Sequence, residues 1–478
     1  MKAPSPTPLD RRRLRAAHRR LRADRKRRGV ALILVLGALA ILTVMLTEIQ
    51  EDNSAEFSAA LVARDQLAAE YAARSGVNLT RLLIAAEPTI RTSLAPILML
   101  AGMGQAPQIP VWNFTDRVLG AFNDKDGRES FASFSGLDMS QGEHLGLEGA
   151  SFEILVVDED SKINVNQGSR EAFSKQRLMQ QLVAMMQSPE YDALFSERDA
   201  DGQFSDRQAI CSAIIDWSDS DQDMWPCDGS DTAQQSAPED SFYERLDQPY
   251  PRKNAPYDSL LELYRVRGVS EDYYANFIDP DPDDPKKRFM TVWGQDRINI
   301  NGAPPEVLLA LICSQAAEPL PKACDYGEGS VNFLTMLRLM PMLLMGMPPF
   351  SSGKDLVQTL KGEGLKGELL KSFAGEAFEP IKFKSESEMT KLAGTESKVF
   401  SIYATGFVRA GKRETRTMVH AVVDFRAAPP PGEARTLDQL QDQAALITDA
   451  NQQAQAEQAI QAALKPSPAG NIVYYRMD

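Results

Sequence analysis

Arg25-Lys26-Arg27-Arg28-Gly29-Val30-Ala31-Leu32-Ile33-Leu34-Val35-Leu36-Gly37-Ala38-Leu39-Ala40-Ile41-Leu42-Thr43-Val44-Met45-Leu46 is a cationic block followed by an uninterrupted apolar run. The run from Val30 to Leu46 lies near the short end of the ~17–25 residues that span a bilayer as a helix. Upstream, Met1 to Gly29 is packed with arginine, among them Arg11, Arg12, Arg13, Arg15, Arg19 and Arg20. Downstream come Glu48, Glu51 and Asp52. Cations before the span and anions after it place Met1–Gly29 in the cytoplasm and the rest outside it. The chain has 478 residues and a formal net charge of -14, so the body beyond the basic block is more acidic than the total. An acidic body argues against a nucleic-acid partner, because phosphate binding needs a basic face.

Three readings of this start compete. An ordinary signal peptide needs small residues at a cleavage site after the apolar run, and Thr43 to Glu48 is a poor site. A plain signal anchor is the bland alternative. The third is a prepilin-type signal, which this start resembles closely. There the cut falls before the apolar run, between Gly29 and Val30, and the apolar segment is kept as the helix of the mature chain. Helical patterning continues past Leu46 through Glu87, with no proline between Val30 and Pro88. Ala68, Tyr71, Ala72, Ser75, Val77, Leu79, Leu82 and Leu83 form an apolar stripe at helical spacing. A helix of roughly 55 residues would be about 80 Å long. Such a length suits a filament subunit; the plainer alternative is a linker helix. Small residues in Asp65–Gly76 would let a sheet approach the second half closely.

Farther on, Phe152–Val157 reads as a strand and runs into Asp158-Glu159-Asp160-Ser161-Lys162-Ile163-Asn164-Val165-Asn166. A second Ile-Asn-x-Asn element, Ile298-Asn299-Ile300-Asn301, precedes Pro304-Pro305-Glu306-Val307, where proline suits a helix start. Between them lie Ile214-Ile215-Asp216-Trp217-Ser218-Asp219-Ser220-Asp221-Gln222-Asp223 and Asn254-Ala255-Pro256-Tyr257-Asp258-Ser259-Leu260. In this order and spacing, from about Arg25 to about Phe425, the chain resembles the type II secretion minor pseudopilin K family (GspK, general secretion pathway protein K). In pilin-like proteins the fifth residue after the cut is usually glutamate. Here it is Leu34. A subunit without that carboxylate cannot make the pairing of a filament body, which points to a terminal subunit.

The resemblance implies an α+β fold: a pilin-like long N-terminal helix packed on an antiparallel sheet, with an inserted mostly helical domain. The expected divisions are a cleaved basic leader at 1–29 and the membrane and amphipathic helix at 30–90. The head's first part follows at 91–165, the inserted domain at 166–284 and the head's second part at 285–426. A tail at 427–478 comprises a proline-rich linker, an exposed Gln/Ala-rich helix at 437–464 and a closing strand at 472–475. It also implies a non-enzymatic role at the tip of the periplasmic pseudopilus. The partners would be minor pseudopilins I and J, the major pseudopilin and the inner-membrane secretion platform, with a prepilin peptidase as processing enzyme. The expected location is the bacterial inner membrane, single-pass, with the C-terminal body periplasmic.

Cys211, Cys227, Cys313 and Cys324 form two local pairs on the non-cytoplasmic side, where disulfides persist. Cys211–Cys227 and Cys313–Cys324 are the expected bridges; four buried free thiols are the alternative. Asp219, Asp221 and Asp223 alternate as in the first half of an EF-hand loop, but Met224 and Ser230 stand where glycine and glutamate belong. Asp216, Asp219, Asp221, Asp223, Asp228, Glu239 and Asp240 would repel one another without a cation, and Ca2+ takes six to eight oxygens. The loop is therefore a candidate calcium site, as the resembled family implies; a solvated acidic loop is the alternative. His18, His144 and His420 are the three histidines, and no nucleophile triad, phosphate loop or HExxH is present. Two other readings stay open: a helix-hairpin-helix DNA-binding component of an uptake machine, and a membrane-anchored hydrolase using Asp216 and Asp219.

Overall fold

The computed structural model describes residues 8–100, 107–123, 125–135, 149–196, 198, 205–228, 242–246, 248–343, 348–374, 378–411, 413–428 and 467–478. The chain falls into two units, Met1–Ala68 and Ala69–Asp478. The first unit is helical from Pro8 and belongs to helix α1, Pro8–Leu100. Its apolar residues from Val30 to Leu46 are exposed, and α1 contains a window long and apolar enough to cross a membrane by length and composition.

In the second unit the elements follow in order. After α1 come α2 (Thr115–Leu119), α3 (Lys125–Ser135), β1 (Ala150–Asp158), β2 (Ile163–Asn164), α4 (Ala172–Met186), α5 (Asp192–Ser196), α6 (Arg207–Asp216), α7 (Glu271–Phe277), β3 (Met290–Thr291) and β4 (Ile298–Asn299). Then come α8 (Pro305–Gln315), α9 (Glu328–Leu343), α10 (Gly353–Leu360), α11 (Gly364–Ala374), α12 (Glu386–Leu392), β5 (Ala393–Gly394), β6 (Val399–Ala410), β7 (Arg413–Asp424) and β8 (Asn471–Met477). Strands β1, β6, β7 and β8 make a sheet in that order, antiparallel throughout. The fold is α+β: the later part of a long N-terminal helix lies on an antiparallel sheet, and a helical body is inserted between β1 and β6.

The helix–sheet contact explains its own composition. A Cβ on Gly406 of β6 would lie 1.9 Å from the Ala69 carbonyl oxygen and 2.8 Å from the Ala73 nitrogen. Helix backbone and strand backbone meet there, so only glycine fits. Gly76 of α1 sits against Phe152 and Ile154 of β1, and Ala69, Ala72, Ala73, Val77 and Thr80 are buried. The expected stripe is thus shifted around the helix: Ala72 and Val77 belong to the buried face, but Tyr71 and Leu82 are 50% and 58% exposed. Close approach selects small residues, and the larger apolar ones point away from it. The helix also runs past Pro88 and Pro96 to Leu100. A proline removes one helical hydrogen bond, and here other contacts hold the turn. Ile109 N–H donates to the buried Glu87 carboxylate at 2.9 Å, and Arg91 bridges Glu87 at 3.4 Å and Glu396 at 2.6 Å.

The inserted body is larger than its sequence signature. Residues from Ile163 to Ala393 share one apolar core, drawing on α4, α6, α7, α8, α10 and α12. The expected boundary near 284 therefore falls inside this core, and the main sheet resumes at Val399. Phe350, Leu356, Val357, Leu360 and Met389 pack in that core, so the helices beyond 327 contribute to it as well. The strand expected near 472–475 is seen as β8, paired with β7. Arg81 holds its approach, donating to the carbonyls of Ala469 at 3.0 Å and Gly470 at 2.8 Å. The Gln/Ala-rich helix expected at 437–464 lies outside the described residues.

Candidate functional site

The acidic loop begins at the end of α6 and is closed by its own side chains. Cys211 of α6 is bonded to Cys227; Cys313 of α8 is bonded to Cys324. Trp225 N–H donates to Asp216 Oδ1 at 2.8 Å, and the Asp216 carbonyl accepts from Arg252. Asp223 N–H donates to Asp221 Oδ1 at 3.0 Å. Lys175 of α4 reaches in from the side, with Nζ 2.8 Å from Asp219 Oδ2 and 3.1 Å from Asp221 Oδ2. The same Nζ lies 5.4 Å from the centre of the Trp225 ring. Arg252 Nη1 stands 3.9 Å from Asp219 Oδ1. Burial pushes the Asp219 carboxyl up to about 6 against the pull of Lys175. Burial also opposes the Lys175 ammonium, but hydrogen bonds and charge from Asp219 and Asp221 outweigh it and raise its pKa.

This arrangement bears on the calcium expectation. Asp216 and Asp221 direct oxygens at the backbone N–H groups of Trp225 and Asp223, and Asp219 and Asp221 direct oxygens at Lys175. Asp223 and Asp228 are exposed. Glu239 and Asp240 lie outside the described residues. Among the described residues no three His, Cys, Asp or Glu side chains gather as a metal-binding group. A calcium shell of six to eight oxygens does not fit the described residues of this set as arranged, because an ammonium stands between Asp219 and Asp221.

The two Ile-Asn-x-Asn elements are joints within the fold. In the first, Asn166 Nδ2 donates to the carbonyls of Tyr257 at 3.0 Å and Val292 at 2.8 Å, and Tyr257 N–H returns a bond to Asn166 Oδ1 at 2.6 Å. In the second, Asn301 Nδ2 donates to the Phe350 carbonyl at 2.8 Å, and Phe350 N–H donates to Asn301 Oδ1 at 3.0 Å. In each, the first asparagine turns back to accept from the second one's N–H, Asn164 at 3.0 Å and Asn299 at 3.1 Å. Each also opens a short parallel pairing, β2 with β3 and β4 with β5.

The carboxylates before the first element tie the sheet to the inserted body. Asp160 accepts from the backbone of Gln295, Lys398 and Val399 at 2.7, 2.6 and 3.1 Å. Asp158 Oδ2 accepts from Ser397 at 2.6 Å and Asn299 at 3.1 Å. Thr291 donates to Glu159 at 2.6 Å, and Lys162 donates to the Pro285 carbonyl at 2.6 Å. Burial, with Asp160 close by, pushes Asp158 up to about 7; burial also raises Asp160 and lowers Lys162.

His420 of β7 stacks on Tyr403 at 4.1 Å between ring centres, and burial pushes it down to about 4, so it is neutral at physiological pH. His18 lies on α1 and is exposed, and His144 lies outside the described residues. Of the processing and assembly positions, Gly29, Val30 and Leu34 all lie in α1, with Val30 and Leu34 58% and 68% exposed.

No family model and no curated protein matches the chain. Among solved structures, there is a similarity to a secretion-system complex. The match is to the crystal structure of the GspK-GspI-GspJ complex from the enterotoxigenic Escherichia coli type 2 secretion system. It covers 69% of this chain and 80% of that chain at 12% identity and a TM-score of 0.37. A likeness of that degree leaves the reading of role to this chain's own residues.

Two site residues escape a reading of the sequence. Lys175 sits in the first turn of α4, 44 positions before Asp219, and Arg252 lies 36 after Asp216. An acidic cluster signals that a cation is needed; it carries no sign of which distant lysine or arginine answers.

Proposed function

We propose that this chain is a minor pseudopilin of a type II secretion system, acting without catalysis at the tip of the periplasmic pseudopilus. The carrying observation is that a single helix, Pro8–Leu100, holds both the apolar segment and the small-residue face that meets the sheet at Gly406. In this reading a prepilin peptidase cuts between Gly29 and Val30. The helix then stays in the inner membrane until assembly, with the body in the periplasm. Leu34 in place of a carboxylate supports a terminal position, since a neutral side chain offers no partner to a neighbour's amine. The partners would be minor pseudopilins I and J, then the major pseudopilin and the inner-membrane platform. The role would be to support export of folded proteins across the outer membrane.

The DNA-binding reading loses its motif support. Asn164, Asn166, Asn299 and Asn301 are spent on backbone bonds within the fold, and an acidic body repels phosphate. Co-purification tests the proposal. Full-length chain extracted from its host membrane should bring down the I- and J-type minor pseudopilins. Isolation without them, together with salt-dependent retention on DNA, would favour the uptake reading instead.

A further inference from the structure

The acidic loop raises a question apart from assembly: what neutralises it. Asp219 is buried, with a side chain 2% exposed, and both its oxygens face cations of the protein itself, Lys175 at 2.8 Å and Arg252 at 3.9 Å. Lys175 is also largely buried, its side chain 10% exposed. It sits between Asp219, Asp221 and the face of Trp225, so carboxylates and an aromatic ring enclose it. The ring's negative face favours a cation there. Of the neighbouring oxygens, Asp221 Oδ1 accepts from the Asp223 N–H and Asp216 Oδ1 from the Trp225 backbone N–H, while Asp219 Oδ1 is buried with no hydrogen-bond donor and faces Arg252 by charge alone.

We propose that the Asp216–Cys227 loop is closed by the ammonium of Lys175, a resident cation standing where a divalent ion would otherwise be needed, and that the loop takes up no calcium. A divalent ion at Asp219 and Asp221 would lie beside the ammonium of Lys175, and like charges at that distance repel, the more so on the buried Asp219 side. Binding would require Lys175 to leave, uncovering Trp225 and breaking two charge-assisted hydrogen bonds. Lys175 stands in the first turn of α4, and α4 packs against α6 and α8 within the shared core, so its side chain is delivered by the fold.

Thermal melting of the full detergent-solubilised chain, in calcium and in chelator, tests this. The expected result is the same Tm in both, with no Trp-sensitised luminescence when terbium replaces calcium. Lys175→Met should lower Tm by several degrees and acquire a calcium-dependent rise, as two freed carboxylates become ligands. A calcium-dependent rise in the unmodified chain that Asp219→Asn abolishes would overturn the proposal, whether or not Glu239 and Asp240 share the ion. A rise that Asp219→Asn and Asp221→Asn both leave intact reports an ion elsewhere and agrees with a metal-free loop. A Lys175→Met chain with unchanged Tm would also overturn it. The calcium comparison needs no variant, so it stands even if Lys175→Met fails to fold.

Discussion

The two Ile-Asn-x-Asn turns use the same bonds in different surroundings. Both place two asparagines one residue apart, and both send the second to a reciprocal pair with a distant backbone, Tyr257 for Asn166 and Phe350 for Asn301. The first is buried and three-bonded, since Asn166 also holds the Val292 carbonyl. The second is only partly buried and two-bonded. The first asparagines differ too. Asn164 donates to the Gly294 carbonyl at 3.1 Å, whereas Asn299 reaches across to Asp158 and Ser397. The second turn is therefore fastened to the carboxylate that precedes the first. One motif serves as an internal clasp at one place and as a link between sheet and inserted body at the other.

The largest expected effect comes from the buried clasp. Asn166→Ala leaves an N–H and two carbonyls of Tyr257 and Val292 without their partner. At about 1–3 kcal/mol for each stranded group, the loss should approach 3–5 kcal/mol, read as a lower denaturant midpoint. Asn301→Ala removes one reciprocal pair at a site that water can reach, and should cost about 1–2 kcal/mol. Equal losses would break the distinction between the two turns.

A smaller effect should appear as pH dependence at the link. Asp158 is held up to about 7, mainly by burial. A carboxyl whose folded pKa exceeds its unfolded value favours the folded state when protonated, and that contribution fades as pH rises between the two values. Stability from this group should thus fall between about pH 4 and pH 7. His420, pushed down to about 4, works the other way over pH 4–6.5, so the wild-type curve alone mixes the two. The difference between Asp158→Asn and wild type isolates the first: the variant's relative Tm should rise on going from pH 5 to pH 8. A pH-independent difference would place the Asp158 carboxyl back in the ordinary range.

What was readable in the chain was whatever depends on local pattern. The apolar run after Arg28, the strand at Phe152–Val157 and the helix start at Pro305 are carried by composition and period. The small residues of Asp65–Gly76 announced a close approach, though not its partner Gly406. The asparagine clasps were not readable as joints, because their partners lie 91 and 49 positions away. The extent of the inserted body was hidden for a similar reason. The stretch from Gly327 to Glu388 has ordinary helical composition, and only the packing of α9 and α12 on α8 shows that it shares the core. The acidic loop gave its charge plainly and concealed Lys175.

The account rests on an N-terminal helix kept in the working protein, and intact-mass analysis of the membrane-extracted chain tests that most directly. A mass beginning at Val30, with the apolar segment present, is the predicted result. A mass beginning after Leu46 would mean that the segment is a discarded export signal, and the pilin-like reading would be contradicted.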